Sequence, residues 1–329
     1  MNLVNMLHDI ERDIFNENLN FDNITLKLFE LHYHHNEVYN KYCDFLNKNP
    51  NNVSSIDEIP LLPVDIFKTQ KVILQDLPVE AVFETSGTTA MNKGKHYVSS
   101  LIVYENSLLK TFEKFFGSPD QYKFAFLLPN YLEQPHSSLV YMAQILANKS
   151  KESKFFKWDY TSLRETIEKW QKEKSKIILW GVSFALLEFA EKYPMKLENA
   201  IIIETGGMKG RREEITRSEL HNKLKSAFGL DSIASEYGMT ELLSQAYSLS
   251  NGEFSTPSWM KILIKDRYNF LHTLPNQVNG KIGIIDLANL YSLPFILTDD
   301  IGKKYDNGLF EILGRFDYSA LRGCNLLFI

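Results

Sequence analysis

The stretch FETSGTTAMNKGK, Phe83 to Lys95, carries four hydroxyls, two glycines and two lysines within thirteen residues, after an apolar start. Gly87 and Gly94 permit backbone conformations closed to other residues and let the main chain approach a ligand closely. Successive amide N–H groups in such a turn form a concave anion site. Thr85, Ser86, Thr88 and Thr89 add hydroxyl donors, while Lys93 and Lys95 add positive charge. The chemistry that suits this set is the binding of a polyphosphate. The spacing is not that of the P-loop, G-x-x-x-x-G-K-[ST], because Gly87 and Gly94 stand seven apart and His96 follows Lys95. A polar hairpin between two strands is the competing reading of the same residues.

Four later segments bear on that choice. ETGGM, Glu204 to Met208, follows the apolar run NAIII, which sets a glycine pair at a strand's carboxyl end, where open α/β sheets bind ligands. SEYGMTE, Ser235 to Glu241, offers an aromatic ring, a hydroxyl and an acid in a short turn. LTDDIGKK and GRFDYSALRGC then close the sequence. Each of these alone is an ordinary turn. Their order is the specific feature.

The elements that must position these residues are legible as periodicity. AVFETS, YKFAFLLP, KIILWGVS and NAIIIETGG read as buried strands, and YENSLLKTFEKFF, SSLVYMAQILANK and TSLRETIEKWQKE read as helices. That alternation predicts an α/β fold with a sheet covered on both faces. Beyond Glu241, MKILIKD, KIGIIDLAN, PFILTDD and LFEILGR are separated by Gly, Asn and Pro turns, which predicts a more antiparallel β subdomain. At the other end, Leu3, Met6, Leu7, Ile10 and Ile14 share one helical face, and Ile24 to Leu46 also reads as helix. NKNPNNVSSIDEIP has the composition of a connector. The predicted organisation is a helical segment over 1–50, a core domain over 51–317 and a short tail over 318–329.

Bulk composition excludes several classes. With 329 residues, 44% apolar and 23% charged, the chain suits one large or two modest globular domains. A formal charge of -5 with acids and bases interspersed leaves no basic stripe for nucleic acid. Two cysteines, Cys43 and Cys324, cannot build a disulfide framework or a zinc cage and fit a reduced compartment. MNLVNMLHDIERDIF mixes acids with its apolar residues and is not a signal peptide, and no window reaches the ~18 apolar residues that a membrane span needs. The expected location is the cytoplasm. HYHH, His32 to His35, reads as a packing or solvated face, His136 as part of a helix-capping loop, KGRREE as a charged helix start and Cys43 as a packed helix residue.

In sequence order, TSGTT…KG, GGM, YGMTE, TDD-x-G and GR-x-D…RG resemble the adenylate-forming superfamily of acyl-CoA synthetases, luciferases and peptide-synthetase adenylation domains. More narrowly, IPLLPVDIFK, FETSGTT, SSLVYM, ETGGMKGRR, WMKILIKD and GRFDYSALRGC resemble LuxE-type acyl-protein synthetases, over roughly Ile59 to the C-terminus, with little from the first fifty residues. The fold this implies is the large domain of the superfamily, mixed sheets covered by helices plus a β subdomain. The activity it implies is ATP- and magnesium-dependent activation of a long-chain fatty acid as an acyl-adenylate. Thr85, Ser86, Gly87, Thr88, Thr89 and Lys93 would cradle the β- and γ-phosphates. Gly206, Gly207 and Met208 would line the adenine, and Tyr237, within Glu236–Gly238–Met239, would stack on it. Thr240 would meet the α-phosphate, Glu241 would hold magnesium, Asp300 and Arg315 would bind the ribose, and Asp317 matches the hinge. Ala90 and Asn92 replace the usual third glycine and the proline of the loop, and Asp299 the usual glycine before the ribose acid.

Superfamily members continue past the hinge into a lid whose lysine assists adenylation. This sequence stops at Ile329, twelve residues after Asp317, so the expectation is a chain without a lid in which Lys93 or Lys95 compensates. The tail carries Cys324, and LuxE-type proteins use a cysteine near the C-terminus as acyl acceptor. The resemblance therefore implies that Cys324 takes the acyl group from the adenylate and passes it to an acyl-accepting reductase or carrier protein. Arg322 beside it would favour the thiolate, the attacking form. Two alternatives stay open: a ligase whose acceptor is CoA or a carrier-protein thiol, and a non-catalytic ATP-binding relative.

Overall fold

The computed structural model describes residues 3–85, 93–129, 132–207 and 215–315. Three helices come first, α1 (Leu3–Ile14), α2 (Phe21–His35) and α3 (Glu37–Phe45). A short strand β1 (Leu62–Pro63) precedes the pair β2 (Ala81–Glu84) and β3 (Lys95–Val98). Helices and strands then alternate: α4 (Leu101–Phe116), β4 (Tyr122–Leu127), α5 (Ser138–Lys149), β5 (Glu152–Phe156), α6 (Tyr160–Lys172), β6 (Lys176–Val182), α7 (Ser183–Lys192), β7 (Ala200–Thr205), α8 (Arg217–Phe228) and β8 (Ala234–Tyr237). Strands follow: β9 (Ala246–Ser248), β10 (Glu253–Phe254), β11 (Met260–Lys265), β12 (Gly280–Asp286), β13 (Phe295–Lys304) and β14 (Phe310–Arg315).

The α/β half forms a sheet of order β5-β4-β6-β7-β8-β9, parallel from β5 to β8 with β9 antiparallel at the edge. Every residue of β4 is buried, as a parallel strand with helices on both faces requires. The helices are started by side chains that accept otherwise orphaned amides: Ser100 for α4, Ser137 for α5, Asp159 for α6 and a Thr216–Glu219 capping box for α8. The β half is a second sheet, β10-β14-β13-β12-β11, antiparallel throughout, with β1 added in parallel to β13.

Three sequence expectations change. Ile24 to Leu46 is not one helix but two, because Asn36 stops α2 and caps α3 by accepting the Tyr39 amide. AVFETS is not a strand of the main sheet; among the described residues β2 pairs with β3 alone, in antiparallel register from Ala81↔Val98 to Glu84↔Lys95, so the hairpin reading describes its flanks. Ser235 to Tyr237, read as the start of a turn, belong to the strand β8, and the turn begins after Tyr237. The N-terminal helices also share a core with the β half: Leu28, Phe29 and Tyr39 belong to the same buried cluster as Ile282, Ile296 and Phe295. The Tyr39 and Phe295 rings stack at 5.6 Å.

Candidate active site

The carboxyl end of β8, the turn after it, the start of β3 and the β13–β14 pair meet in one place, and most of the described candidate residues lie there. Register does the first part of the work. Asp300 on β13 is paired with Arg315 on β14, so two residues fifteen apart in sequence become cross-strand neighbours, with Arg315 Nε 3.4 Å from Asp300 Oδ1. Tyr237, the last residue of β8, donates its hydroxyl to Asp300 Oδ2 at 2.7 Å. Its ring lies edge-on to Phe254 and Phe310, at 6.1 and 5.9 Å. Burial, and then the neighbouring Asp300 carboxylate, raise the Tyr237 phenol far above its ordinary pKa, so it stays a hydrogen-bond donor. Asp300, Arg315 and Tyr237 are therefore one unit that joins the two sheets.

Glu241 forms the second part. It is 5% exposed, and the hairpin end reaches it: a Cβ on Gly94 would lie 3.0 Å from Glu241 Oε1 and 3.2 Å from Thr85 Cγ2. Only glycine leaves that space open. Thr85 Oγ1 accepts the Gly94 amide at 2.9 Å, and Thr85 N donates to the Gly94 carbonyl at 3.0 Å. Burial pushes the Glu241 carboxyl up to about 7, with Lys68 and Arg315 pulling only partly the other way. A carboxyl in this state binds either a proton or a cation near neutral pH. Among the described residues no cluster of three or more His, Cys, Asp or Glu could hold a metal. Magnesium does not need one, since it binds through one or two carboxylates with phosphate oxygens and water. The open cradle at Gly94 beside a single oxygen donor fits that ion.

The backbone of the YGMTE turn is held from several directions. His96 Nδ1 lies 2.8 Å from the Thr240 carbonyl, and Asn289 Nδ2 donates to the Glu241 carbonyl at 2.8 Å. Asp286 accepts the amides of Leu243 and Ser244 and the Ser244 hydroxyl. Burial raises the Asp286 carboxyl to about 6 against those hydrogen bonds.

Glu236 points elsewhere. It lies on the opposite side of β8 from Tyr237, accepts a short hydrogen bond from Thr205 on β7, and interacts electrostatically with Tyr104 of α4 and Tyr247 of β9. A Cβ on Gly238 would collide with its carboxyl, so the glycine accommodates this side chain as well as the turn. Burial, and then the Glu204 charge, push Glu236 up to about 7 against the Thr205 hydrogen bond. Because its folded pKa is raised, its contribution to stability is full below about 4.5 and is lost as pH rises through about 7. Glu236→Gln is therefore expected to gain stability relative to the parent by on the order of 2 kcal/mol between pH 5 and pH 8. Urea unfolding of both proteins at the two pH values checks it.

Lys93 makes an ion pair with Glu84 at 3.3 Å, and Lys95 reaches the same carboxylate at 3.9 Å. Both bases of the opening stretch thus share an acid that sequence reasoning left aside, although Glu84 directly precedes Thr85. Gly206 and Gly207 are exposed just beyond β7. Ser183 bonds the Gly206 carbonyl at 3.0 Å and the Glu204 carboxylate at 2.7 Å. Burial alone would raise Glu204, but His221, Arg217, Ser183 and Ser235 together hold it below its ordinary value. Met239 is part-buried beside the turn. Ser86, Gly87, Thr88, Thr89, Met208, Asp317 and Cys324, like the KGRREE stretch, lie outside the described residues. Cys43 is fully buried, and burial raises its thiol to about 12, in line with a packing role. His32 is buried and bonds the Leu290 carbonyl at 3.0 Å, while His34 and His35 are exposed.

The described residues contain no helix long and apolar enough to cross a membrane. Two solved structures share the fold. ATP-bound MatB from Rhodopseudomonas palustris superposes with a TM-score of 0.57 at 19% identity, over 72% of this chain and 48% of that one, so the chain spans about half of MatB. An open conformation of 2-hydroxyisobutyryl-CoA ligase, in complex with 2-HIB-AMP and CoA, superposes with a TM-score of 0.68 at 12% identity, over 90% of this chain and 70% of that one. In sequence, the chain is 23% identical over 348 residues to the long-chain-fatty-acid–luciferin-component ligase of Aliivibrio fischeri, covering 93% of this chain and 86% of that protein. It is 23% identical over 334 residues to the ligase of the same name from Vibrio harveyi, covering 91% and 84%. The model of the acyl-protein synthetase LuxE family matches residues 8–99, so the N-terminal helices that read as uninformative carry part of the likeness. The chain thus resembles the acyl-protein synthetase LuxE family over residues 8–99 and shares its fold with MatB and 2-hydroxyisobutyryl-CoA ligase.

Proposed function

We propose that the protein activates a long-chain fatty acid with ATP, forming an acyl-adenylate, and then transfers the acyl group to Cys324 and on to a partner protein. The observation that carries the reading is convergence. Thr85 and Gly94, Tyr237 to Glu241, Asp300 and Arg315 come from four separate stretches and meet through direct contacts and shared charge. Each matches the position that adenylation would ask of it. Asp300 and Arg315 supply an acceptor and a cation for a ribose edge, Glu241 supplies the hard oxygen for magnesium, and Thr240 precedes it in the same turn.

A carboxylate oxygen of the fatty acid attacks the α-phosphorus of ATP, the bond from that phosphorus to the bridging oxygen breaks, and pyrophosphate leaves. Magnesium would neutralise charge on the phosphates while Glu241 anchors it. The remaining work falls to fixed donors and cations around the phosphoryl centre. In the second step the Cys324 thiolate attacks the acyl carbon and AMP leaves with the bonding pair, which conserves the activation as a thioester. The acceptor that suits this product is a thiol of a carrier protein or of a reductase, to which the acyl group passes unreduced as a thioester. We place the reaction in the cytoplasm, where a reduced thiol persists.

The test combines two readouts in one incubation with ATP, magnesium and labelled fatty acids of several chain lengths. Fatty-acid-dependent pyrophosphate exchange reports adenylation. Label that survives denaturation and is released by hydroxylamine reports the thioester. Exchange without protein-bound label would move the acceptor to CoA or a carrier protein.

A further inference from the structure

His96 is the residue that follows the lysine-rich end of the opening stretch, and it is fully buried. Its two ring nitrogens face two different elements. Nδ1 lies 2.8 Å from the carbonyl oxygen of Thr240, in the turn after β8, and Nε2 lies 2.8 Å from the Ser292 hydroxyl, just before β13. A carbonyl can only accept, so Nδ1 carries the hydrogen, Nε2 is the bare nitrogen, and the Ser292 hydroxyl donates to it. Burial depresses the ring to about 4, which keeps it in this neutral form through the physiological range. The Ser292 turn is fixed from behind by the N-terminal helices: Asn36 Nδ2 donates to the Ser292 carbonyl at 3.0 Å, and His32 Nε2 donates to the Leu290 carbonyl at 3.0 Å. His96 is therefore the one side chain among the described residues that hydrogen-bonds both this buttressed turn and the Thr240 carbonyl, while its own strand runs back to Gly94 under Glu241.

We propose that His96 is a positioning residue of the adenylating site: its Nδ1–H holds the buried Thr240 carbonyl and so sets Thr240 and Glu241 against the phosphate-binding end of the β2–β3 hairpin, with the Ser292 hydroxyl a secondary anchor of the ring. The proposal rests on the adenylation reading and adds to it a residue that touches neither nucleotide nor acid.

Two near-isosteres separate the bonds. In His96→Asn the amide nitrogen takes the place of Nδ1 and keeps the bond to Thr240. In His96→Gln the amide oxygen takes the place of Nε2, keeps the bond to Ser292 and leaves the Thr240 carbonyl unpaired in a buried site. Binding of MgATP by calorimetry, with thermal melting to establish folding, is expected to rank the parent and His96→Asn within about threefold of each other and His96→Gln at least about tenfold weaker. Ser292→Ala, which removes only the far anchor, is expected to match His96→Asn in MgATP affinity, which keeps the proposal open to test should His96→Gln not fold. Equal affinities for folded His96→Asn and His96→Gln would overturn the proposal while leaving adenylation standing. So would a loss of MgATP binding in Ser292→Ala as large as that expected of His96→Gln. A parent protein that binds no MgATP would overturn the adenylation reading together with it.

Discussion

Glu241→Gln is expected to lower fatty-acid-dependent pyrophosphate exchange by roughly 10²–10³-fold while the protein stays folded, the range seen when one electrostatic contact to a transition state is removed. The substitution keeps the shape of the side chain and removes the negative charge that would bind magnesium. Folding is spared because the parent carboxyl, at 5% exposure and with its pKa raised to about 7, already carries a proton for much of the time at neutral pH. The same shift sets a pH dependence. Below about 7 protons compete with magnesium for this oxygen, so apparent magnesium affinity should fall about tenfold per pH unit as the medium is acidified, and level off above about 8. Titrating exchange against magnesium at pH 6 and pH 8 reads that slope directly. In Glu241→Gln the slope should vanish along with the activity. A variant that exchanges at the parental rate would mean that the metal is held elsewhere.

Cys324→Ser is expected to abolish the hydroxylamine-labile acyl label and leave pyrophosphate exchange within about twofold of the parent. In the proposed reaction the two half-reactions have separate nucleophiles, the fatty-acid carboxylate in the first and the thiolate in the second, so removing the second would not block the first. A serine hydroxyl is essentially un-ionised at neutral pH, whereas a free thiol with a pKa near ~8.5 supplies several per cent thiolate and more beside a cation. Cys43 gives the internal control: it is buried with its thiol raised to about 12, so Cys43→Ala should keep full labelling. Persistent label in Cys324→Ser would remove the cysteine from the reaction.

How much of this could be read in the residues divides along one physical line. Strands buried on both faces announce themselves as apolar runs, and KIILWGV and AIIIET were legible as such. The polar edge strand β5, ESKFF, and the four-residue β8, ASEY, carry no such signature, and neither was read as a strand. In the same way, Asp300 and Arg315 could be named from their motifs, and the β13–β14 register then brought them together. What the sequence did not disclose is the scaffold behind the motifs. His96 and Thr240 are 144 residues apart, and His96 and Ser292 are 196 apart, so no local pattern marks the bridge. Asn289 holds the YGMTE turn, and Asp286 the residues just after it, from KIGIIDLAN, which reads only as a strand and its exit. Glu84 was visible beside Thr85, but its pairing with Lys93 and Lys95 depends on the hairpin that brings its two arms level.

The account stands or falls on whether an acid is activated over the Tyr237–Asp300–Arg315 and Glu241 cluster. The most direct measurement is exchange of labelled pyrophosphate into ATP by the purified chain with magnesium, with and without saturated fatty acids across a series of chain lengths. Exchange that requires the fatty acid, shows a chain-length optimum and collapses in Glu241→Gln is the predicted result. Nucleotide binding without exchange for any acid in the series would contradict it.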